Sequence, residues 1–284
     1  MSAGKRGGGS RRRFYWLLVT PALVALVAVY LAPLARVLWI SVTEPRPGMG
    51  NYGLLLTSAS VHRVLLVTAR ICAVTTTVTL GLGYAVAYAM VHARPRHLRW
   101  LTFFVLLPLW ISVLVRAFAW VTLLRSNGLV NQGLLALGVI RTPLPLARNE
   151  FGVTVGMIHY MIPFAVLPLY SNMVTIDRRL VAAARGLGAT PGQAFRRVFL
   201  PLSLPGLVGA GILVFIFSLG FYVTPAILGG GRVLMVAEYI GIQILTVVRW
   251  GLGTMLATTL LASVLLLLAT LGRVVSLRQL FGAR

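Results

Sequence analysis

The chain has 284 residues, of which 58% are hydrophobic and only 11% charged, and its mean hydropathy is +0.91. Soluble globular domains are about one quarter charged residues, so this composition excludes a soluble globule and indicates a membrane protein. The net charge of +22 acquires a meaning only from where the arginines fall along the membrane spans. Cys72 is the single cysteine, so no disulfide within the chain can form.

Enzymatic motifs are missing from the sequence. Lys5 is the only lysine, so the chain has no GxxxxGK[ST] phosphate loop and cannot hydrolyse ATP by that mechanism. The four histidines lack HExxH or Cys/His ligand spacing, and the few acids form no pair suited to acid–base chemistry. We therefore expect a non-enzyme that has no catalytic residue, no metal and no cofactor of its own.

Long apolar runs divide the chain. A basic tail at 1–13 precedes a predicted membrane domain at 14–275, which is followed by a short tail at 276–284. The uncharged run at 14–35 is too long for a signal-peptide core of about 7 to 15 residues, so it is expected to be a retained span. Five further runs approach the ~20 apolar residues that cross a bilayer: 64–91, 99–124, 151–175, 203–228 and 250–272. The sequence thus predicts an all-α membrane protein with six transmembrane helices.

The arginines predict the orientation of these spans. The two tails, the turn at 92–100 and the loop at 173–205 together hold Lys5 and fifteen arginines, whereas the other three loops hold seven. By the positive-inside rule the first set is cytoplasmic, together with both termini. The loop at 125–150 then lies outside, either facing a partner or packed as a connector.

The polar loop at 177–205 predicts two short helices. Asp177 suits the N-cap of the first helix, and Gly188 suits a left-handed residue just after its end. An apolar stripe follows the first helix at Leu180, Val181, Ala184 and Leu187. The run Thr190-Pro191-Gly192-Gln193 matches a capping box that starts a second helix, which Pro201 is expected to stop.

One spacing in this loop is specific. Ala182-Ala183-Ala184 is followed by three residues and Gly188, then by nine residues and Val198, and then by one residue and Leu200-Pro201. In this spacing of its residues the loop resembles the EAA loop of ABC-importer permeases. Ala182 departs from that pattern, because the family has a glutamate there, so a salt bridge made by that carboxylate cannot form in this chain. The runs LVRAFAW at 114–120 and SLGFYVTPAILGG at 218–230 are similar to those of the spermidine/putrescine-type permeases.

The resemblance implies the type I ABC importer permease architecture in a bacterial plasma (inner) membrane. The chain would couple ATP hydrolysis by a separate subunit to alternating access for a polyamine or a related small organic solute. Implied partners are a cytoplasmic ATPase dimer that carries ATP and Mg, a second and related but non-identical permease, and an extracytoplasmic solute-binding protein. The sequence itself leaves a homodimer or a heterodimer of permeases open. The implied coupling residues are Ala182, Ala183, Ala184, Arg185, Leu187, Gly188, Ala189, Phe195, Val198, Leu200 and Pro201.

Candidate residues of the translocation path are Arg116, Trp120, Phe221, Tyr222, Thr224 and Glu238. Arg116 falls about 24 Å along its predicted span at 1.5 Å per residue, where it either serves function or snorkels to the interface. Phe221 and Tyr222 either line the path or pack in an interfacial aromatic belt. Glu238 is the carboxylate available to a cationic solute, unless Arg232 neutralises it.

Two other functions remain as alternatives. An ion- or proton-coupled secondary transporter needs titratable groups near the bilayer midplane, and the sequence places no Asp, Glu or Lys there. A membrane-tethered nucleic-acid-binding protein would use residues 177–200 as a helix-turn-helix. Its second helix offers only Gln193, Arg196 and Arg197 to bases, so no nucleic acid is expected as a partner.

Overall fold

The computed structural model describes residues 8–274, with side chains described for 15–272, and this part of the chain contains helices and no strand. The predicted C-terminal tail at 276–284 and residues 1–7 of the predicted basic tail lie outside the described residues. In chain order the helices are α1 Gly8–Leu26, α2 Ala32–Thr43, α3 Gly50–Thr57, α4 Ala59–His92, α5 Pro95–Trp110, α6 Val113–Leu124, α7 Leu129–Ala136, α8 Glu150–Val174, α9 Arg178–Gly186, α10 Pro191–Ala194, α11 Leu200–Leu219, α12 Val223–Leu228, α13 Val236–Gly241 and α14 Trp250–Val274.

Six helical stretches within the described range are long and apolar enough to cross a membrane. They confirm the predicted number of spans and the all-α fold. The stretches are Tyr15–Thr43, Ala59–His92, Val113–Ala136, Glu150–Val174, Pro191–Leu219 and Trp250–Gly272.

The predicted continuous third span at 99–124 is wrong in one respect, because two helices occupy it. α5 ends at Trp110 and α6 begins at Val113, while Ile111 and Ser112 between them are extended, with ψ of 132° and 136°. Pro108 lies in the last turn of α5, where its missing N–H and its ring weaken the helix. The residues of the LVRAFAW run therefore belong to a separate half-helix.

The predicted stop at Pro201 is also wrong. α10 continues through a π-helical turn at Phe195–Phe199 into α11, and the N–H of Leu200 bonds to the carbonyl of Phe195, five residues back. This wider turn accommodates a proline that an α-helical turn would reject. The helix instead ends at Leu219, and α12 resumes after Gly220–Tyr222, so the predicted fifth span at 203–228 is broken as well.

Helices α4, α8 and α11 form the centre of the bundle, α2 packs along α14, and α6 packs on α12. Glycines permit close approach at the central contacts. A Cβ placed on Gly83 of α4 would lie 2.8 Å from the Cβ of Ala165 on α8, and one on Gly206 of α11 would lie 2.6 Å from the Cβ of Asn172.

Candidate functional site

α9 is capped at both ends by its own sequence. The Asp177 carboxylate accepts a hydrogen bond of 2.9 Å from the N–H of Arg179. At the other end the N–H of Ala189 bonds to the carbonyl of Ala184 at 3.1 Å, and the N–H of Gly188 bonds to that of Arg185 at 3.0 Å. This pair of bonds is the Schellman motif, and Gly188 has the positive φ, +92°, that the motif requires. The predicted cap residues are confirmed.

α10 begins three residues after Gly188, at Pro191, and it also has its own cap. The N–H of Thr190 bonds to the side-chain oxygen of Gln193 at 2.9 Å, and the N–H of Gln193 bonds to the Thr190 hydroxyl at 3.3 Å. This reciprocal pair is the predicted capping box. Together, the two capped helices and the π-helical turn at Phe195–Phe199 form a compact knob, which we call the α9 knob and define as residues 177–199.

The implied coupling residues divide into an exposed and a packed set. Leu187 is 90% exposed and Leu180 is 49% exposed, so two leucines of the predicted apolar stripe face away from the protein. The exposed set is Ala182, Ala183, Arg185, Leu187, Gly188 and Pro201, and the partly buried set is Ala184, Ala189, Phe195, Val198 and Leu200.

The packed side of the α9 knob is joined to α4. The guanidinium of Arg178 donates a hydrogen bond of 2.6 Å to the carbonyl of Val91 in the last turn of α4. Tyr88 of α4 meets the rings of Phe195 and Phe199 edge to face, with centroids 5.4 and 5.2 Å apart. Sequence reasoning missed Tyr88, although tyrosines at 84 and 88, one helical turn apart inside an apolar span, were a visible signal.

A second candidate region surrounds Arg116, which is only 8% exposed. Its guanidinium carbon lies 4.5 Å from the centroid of the Tyr160 ring, within the range of a cation–π contact. Two guanidinium nitrogens, Nε and Nη1, have no hydrogen-bond partner among the described residues. A small cavity of about 10 Å³ adjoins the guanidinium. Its lining consists of Val113, Arg116, Ala117, Trp120, Gly156, Tyr160 and Thr224.

The structure brings together four of the six predicted path residues. Arg116, Trp120 and Thr224 line the cavity, and the Phe221 ring lies 4.7 Å from that of Tyr160. The indole N–H of Trp120 donates to Nδ1 of His159 at 3.2 Å, so this histidine is a hydrogen-bonded interior residue. Of the two alternatives for Arg116, its burial at 8% exposure disfavours snorkelling to the interface.

The other two predicted path residues lie elsewhere. Tyr222 is 45% exposed, and its ring lies beside Gly241. Glu238 of α13 is 6% exposed, its Oε2 has no partner among the described residues, and burial raises its pKa to about 7. It forms no ion pair with Arg232, because Arg70–Glu150 is the single ion pair in the described part of the chain.

The loop at 125–149 is built around a residue that sequence reasoning missed. Asn131 is fully buried, and its amide donates to the carbonyls of Arg125 at 3.2 Å and Leu144 at 2.9 Å. Its side-chain oxygen accepts from the N–H of Leu144 at 2.8 Å. The loop is therefore an ordered connector pinned at its centre. An asparagine beside a glutamine in a glycine-flanked run gave no sequence signal for this role.

Residues 79–278 match the family of binding-protein-dependent transport system inner membrane components. The spermidine/putrescine transport system permease protein PotB of Haemophilus influenzae is 34% identical over 181 residues, which are 64% of this chain and 63% of that protein. PotB of Escherichia coli is 32% identical over 212 residues, 75% of this chain and 77% of that protein. The molybdenum transport system permease protein ModB of Mycobacterium bovis is 30% identical over 212 residues, 75% and 76% of the two chains.

Solved structures share the fold at lower identity. A bacterial ABC transporter involved in the import of the acidic polysaccharide alginate superposes with a TM-score of 0.73 at 18% identity, covering 94% of this chain and 97% of that one. The same kind of transporter in complex with an alginate-bound periplasmic protein gives a TM-score of 0.75 over 94% and 96%. The six spans, the capped loop and these matches agree, and the chain belongs to the binding-protein-dependent transport system inner membrane components, the multi-pass permease subunits of ABC importers.

Proposed function

We propose that the α9 knob is the surface on which a cytoplasmic ATPase subunit docks. The observation that carries this proposal is Leu187, a leucine 90% exposed on a capped and rigid helix end. An exposed apolar side chain on a fixed backbone suits insertion into a cleft of a soluble partner. Leu180, 49% exposed on the same helix, extends that apolar surface.

Displacement of the α9 knob would reach the membrane spans through α4. The Arg178 hydrogen bond to Val91 and the ring contacts of Tyr88 with Phe195 and Phe199 join the knob to the last turns of that helix. α4 packs in turn along α8 and α11. A push on the knob therefore moves the three central helices together, which suits a change between outward-open and inward-open states.

The arginine distribution supports a cytoplasmic position for the α9 knob and for both termini. ATP and Mg would then be bound and hydrolysed by the docked ATPase, and this chain would supply no catalytic group. One knob per chain suits two permease chains on an ATPase dimer, the second permease being related but non-identical. The opposite end, with the Asn131-pinned loop, would face a solute-binding protein outside the membrane.

The observations define the solute less narrowly than they define the surface proposed to dock the ATPase. Relatives at 32–34% identity are named for spermidine and putrescine, and another at 30% is named for molybdenum. Polyamine transport is therefore the prediction that similarity favours, and the broader proposal is a small charged solute. The residues around the Arg116 cavity would form part of its path.

Copurification tests the coupling proposal. The chain would be tagged and purified from its native membrane in mild detergent, and its partners would be identified by mass spectrometry and an ATPase assay. We expect an ATPase subunit and a second permease. A chain that purifies alone, without ATPase activity, would contradict the proposal and favour an ion-coupled transporter.

A variant pair localises the docking. Leu187→Ser should release the ATPase from the purified complex, because it removes the exposed apolar anchor. Leu137→Ser is the matched control, since Leu137 is 78% exposed on the loop at the opposite end of the bundle. Equal ATPase recovery with both variants would show that the α9 knob is not the docking surface.

A further inference from the structure

The two broken helices meet at the Arg116 cavity. α6 begins at Val113 after the break at 111–112, α12 begins at Val223 after the break at 220–222, and the two half-helices pack on each other. Val113 and Arg116 of α6 and Thr224 of α12 line the cavity together. Each break frees backbone groups and permits its half-helix to move relative to the rest of its span.

The start of α6 is an electropositive helix end. Ser112 at the N-cap makes no side-chain hydrogen bond to the helix, so the first N–H groups of α6 have no capping side chain. Helix N-termini attract anions through these N–H groups and the helix dipole. In membrane transporters the N-termini of broken helices bind anionic groups of the solute in this way.

Arg116 adds a full charge in the first turn of the same helix. This residue is only 8% exposed, and its Nε and Nη1 have no hydrogen-bond partner among the described residues. The chain has four acids to offer, and none of them pairs with it: Glu150 pairs with Arg70, Asp177 caps α9, and Glu238 and Glu44 form no ion pair in the described structure. A buried guanidinium without a counter-charge is unfavourable, and a planar guanidinium matches a carboxylate.

We propose that Arg116 and the N-terminus of α6 bind a carboxylate group of the transported solute. The inference rests on the proposed import function and, within small charged solutes, favours one with a carboxylate over the polyamine that similarity favours. Tyr160 and Trp120 line the cavity beside the guanidinium, and the Phe221 ring packs against Tyr160, so the rest of the solute would lie against aromatic rings. The cavity of about 10 Å³ has room for about one water molecule, so a carboxylate would enter only if α6 and α12 separate.

The charge at the loop end of the bundle also favours a solute with an anionic group. Arg125, Arg141, Arg148, Arg232 and Arg249 are all exposed there, and none forms an ion pair within the described structure. Such a surface raises the local concentration of anions and repels polycations. A polyamine without an anionic group would meet like charge both at this surface and at Arg116, whereas a carboxylate or an amino acid would not.

An isosteric series of probes tests the charge. Acetate, acetamide and acetamidinium have the same shape and carry negative, zero and positive charge. Each would be added at up to 50 mM, at constant ionic strength, to the purified complex, and the thermal unfolding midpoint would be measured. The wild-type complex should be stabilised by acetate alone, and the shift should vanish in Arg116→Gln. Arg99→Gln, exposed in α5 and outside both the cavity and the arginines of the loop end, is the matched control and should keep the shift.

Two results would overturn the proposal. One is stabilisation by acetamidinium rather than by acetate. The other is an acetate effect that is absent from the wild type, or that is equally large in the wild type and in Arg116→Gln. An absent effect in the wild type would mean that the guanidinium is already paired, for example with a carboxylate of the second permease. Loss of the ATPase during purification would instead refute the proposed coupling, so the two failures are distinguishable.

The copurified solute-binding protein gives an independent readout. Its retained solute would be extracted and identified by mass spectrometry, and uptake of that solute would be measured in proteoliposomes. We expect a solute with a carboxylate, at least a tenfold rise of KM in Arg116→Gln, and partial recovery in Arg116→Lys. A polyamine with no anionic group, transported equally by the variant, would contradict the inference.

Discussion

Gly188 offers a test of the coupling loop in which backbone conformation is isolated from packing. Its φ is +92°, and a Cβ built on it would meet nothing within 4 Å. Gly186, two residues earlier, also has open space around a Cβ but lies in α9 with an ordinary helical conformation. Gly188→Ala and Gly186→Ala therefore add the same methyl group to the same exposed loop, and only the first meets backbone strain.

The strain sets the expected magnitude. A Cβ-bearing residue in the left-handed region costs about 1–2 kcal/mol, which corresponds to a factor of about 5–30 in an equilibrium. If this strain uncaps the α9 knob in the free permease, the ATPase must restore the Schellman-capped form on binding, and its affinity for Gly188→Ala should fall by up to that factor. Gly186→Ala should be neutral or slightly favourable, since alanine is the better helix former. Gly188→Asn should recover part of the loss, because asparagine tolerates left-handed backbone.

The assay is titration of the purified ATPase subunit against each permease variant in nanodiscs, with transport-coupled ATPase activity as the second readout. Equal affinities for Gly188→Ala and Gly186→Ala would refute the reasoning, because the capped geometry would then be irrelevant to docking. A loss that Gly188→Asn does not recover would assign the effect to side-chain bulk at the interface.

Three further predictions concern other contacts. Arg178→Gln removes the charged donor to the carbonyl of Val91 and should reduce solute uptake per ATP hydrolysed. Arg179→Gln, whose side chain has no hydrogen-bond partner among residues 15–272, should not. Asn131→Ala leaves the Leu144 backbone groups unpaired and should lower the unfolding free energy by about 1–3 kcal/mol, measured against the exposed control Asn127→Ala. Because burial raises the pKa of Glu238 to about 7, its protonation stabilises the folded state, so stability should fall as pH rises from 4.5 to 7. Glu238→Gln should flatten that dependence in thermal unfolding, and an unchanged slope would contradict it.

The capped loop could be predicted because its signals are local. Asp177, Gly188, Thr190 and Gln193 act on backbone groups at most a few residues away, so spacing along the chain fixes their hydrogen bonds. The number of spans follows equally from the length of the apolar runs, since hydrocarbon thickness alone determines that length. Both predictions are confirmed. The role of the loop residues in coupling stays a prediction.

The breaks at 111–112 and 220–222 could not be predicted in this way. Hydropathy measures how apolar a segment is, and an apolar run reads the same whether its helix is continuous or interrupted. The prediction at Pro201 failed in the opposite direction, because it placed a helix end where the helix continues. A π-helical turn accommodates a proline that local rules treat as a stop. Where a helix of a membrane protein breaks depends on the neighbours that satisfy its freed backbone groups.

The sequence by itself determined the membrane class, the six spans, the family and the caps of the α9 knob, because each depends on composition or on contacts within one turn. Only the tertiary structure decided that Arg116 faces Tyr160 without a counter-charge and that Arg178 joins the knob to Val91. It also decided that Asn131 closes the loop at the opposite end. These contacts join residues that are distant along the chain or on separate helices, and no periodicity encodes which faces of those helices meet.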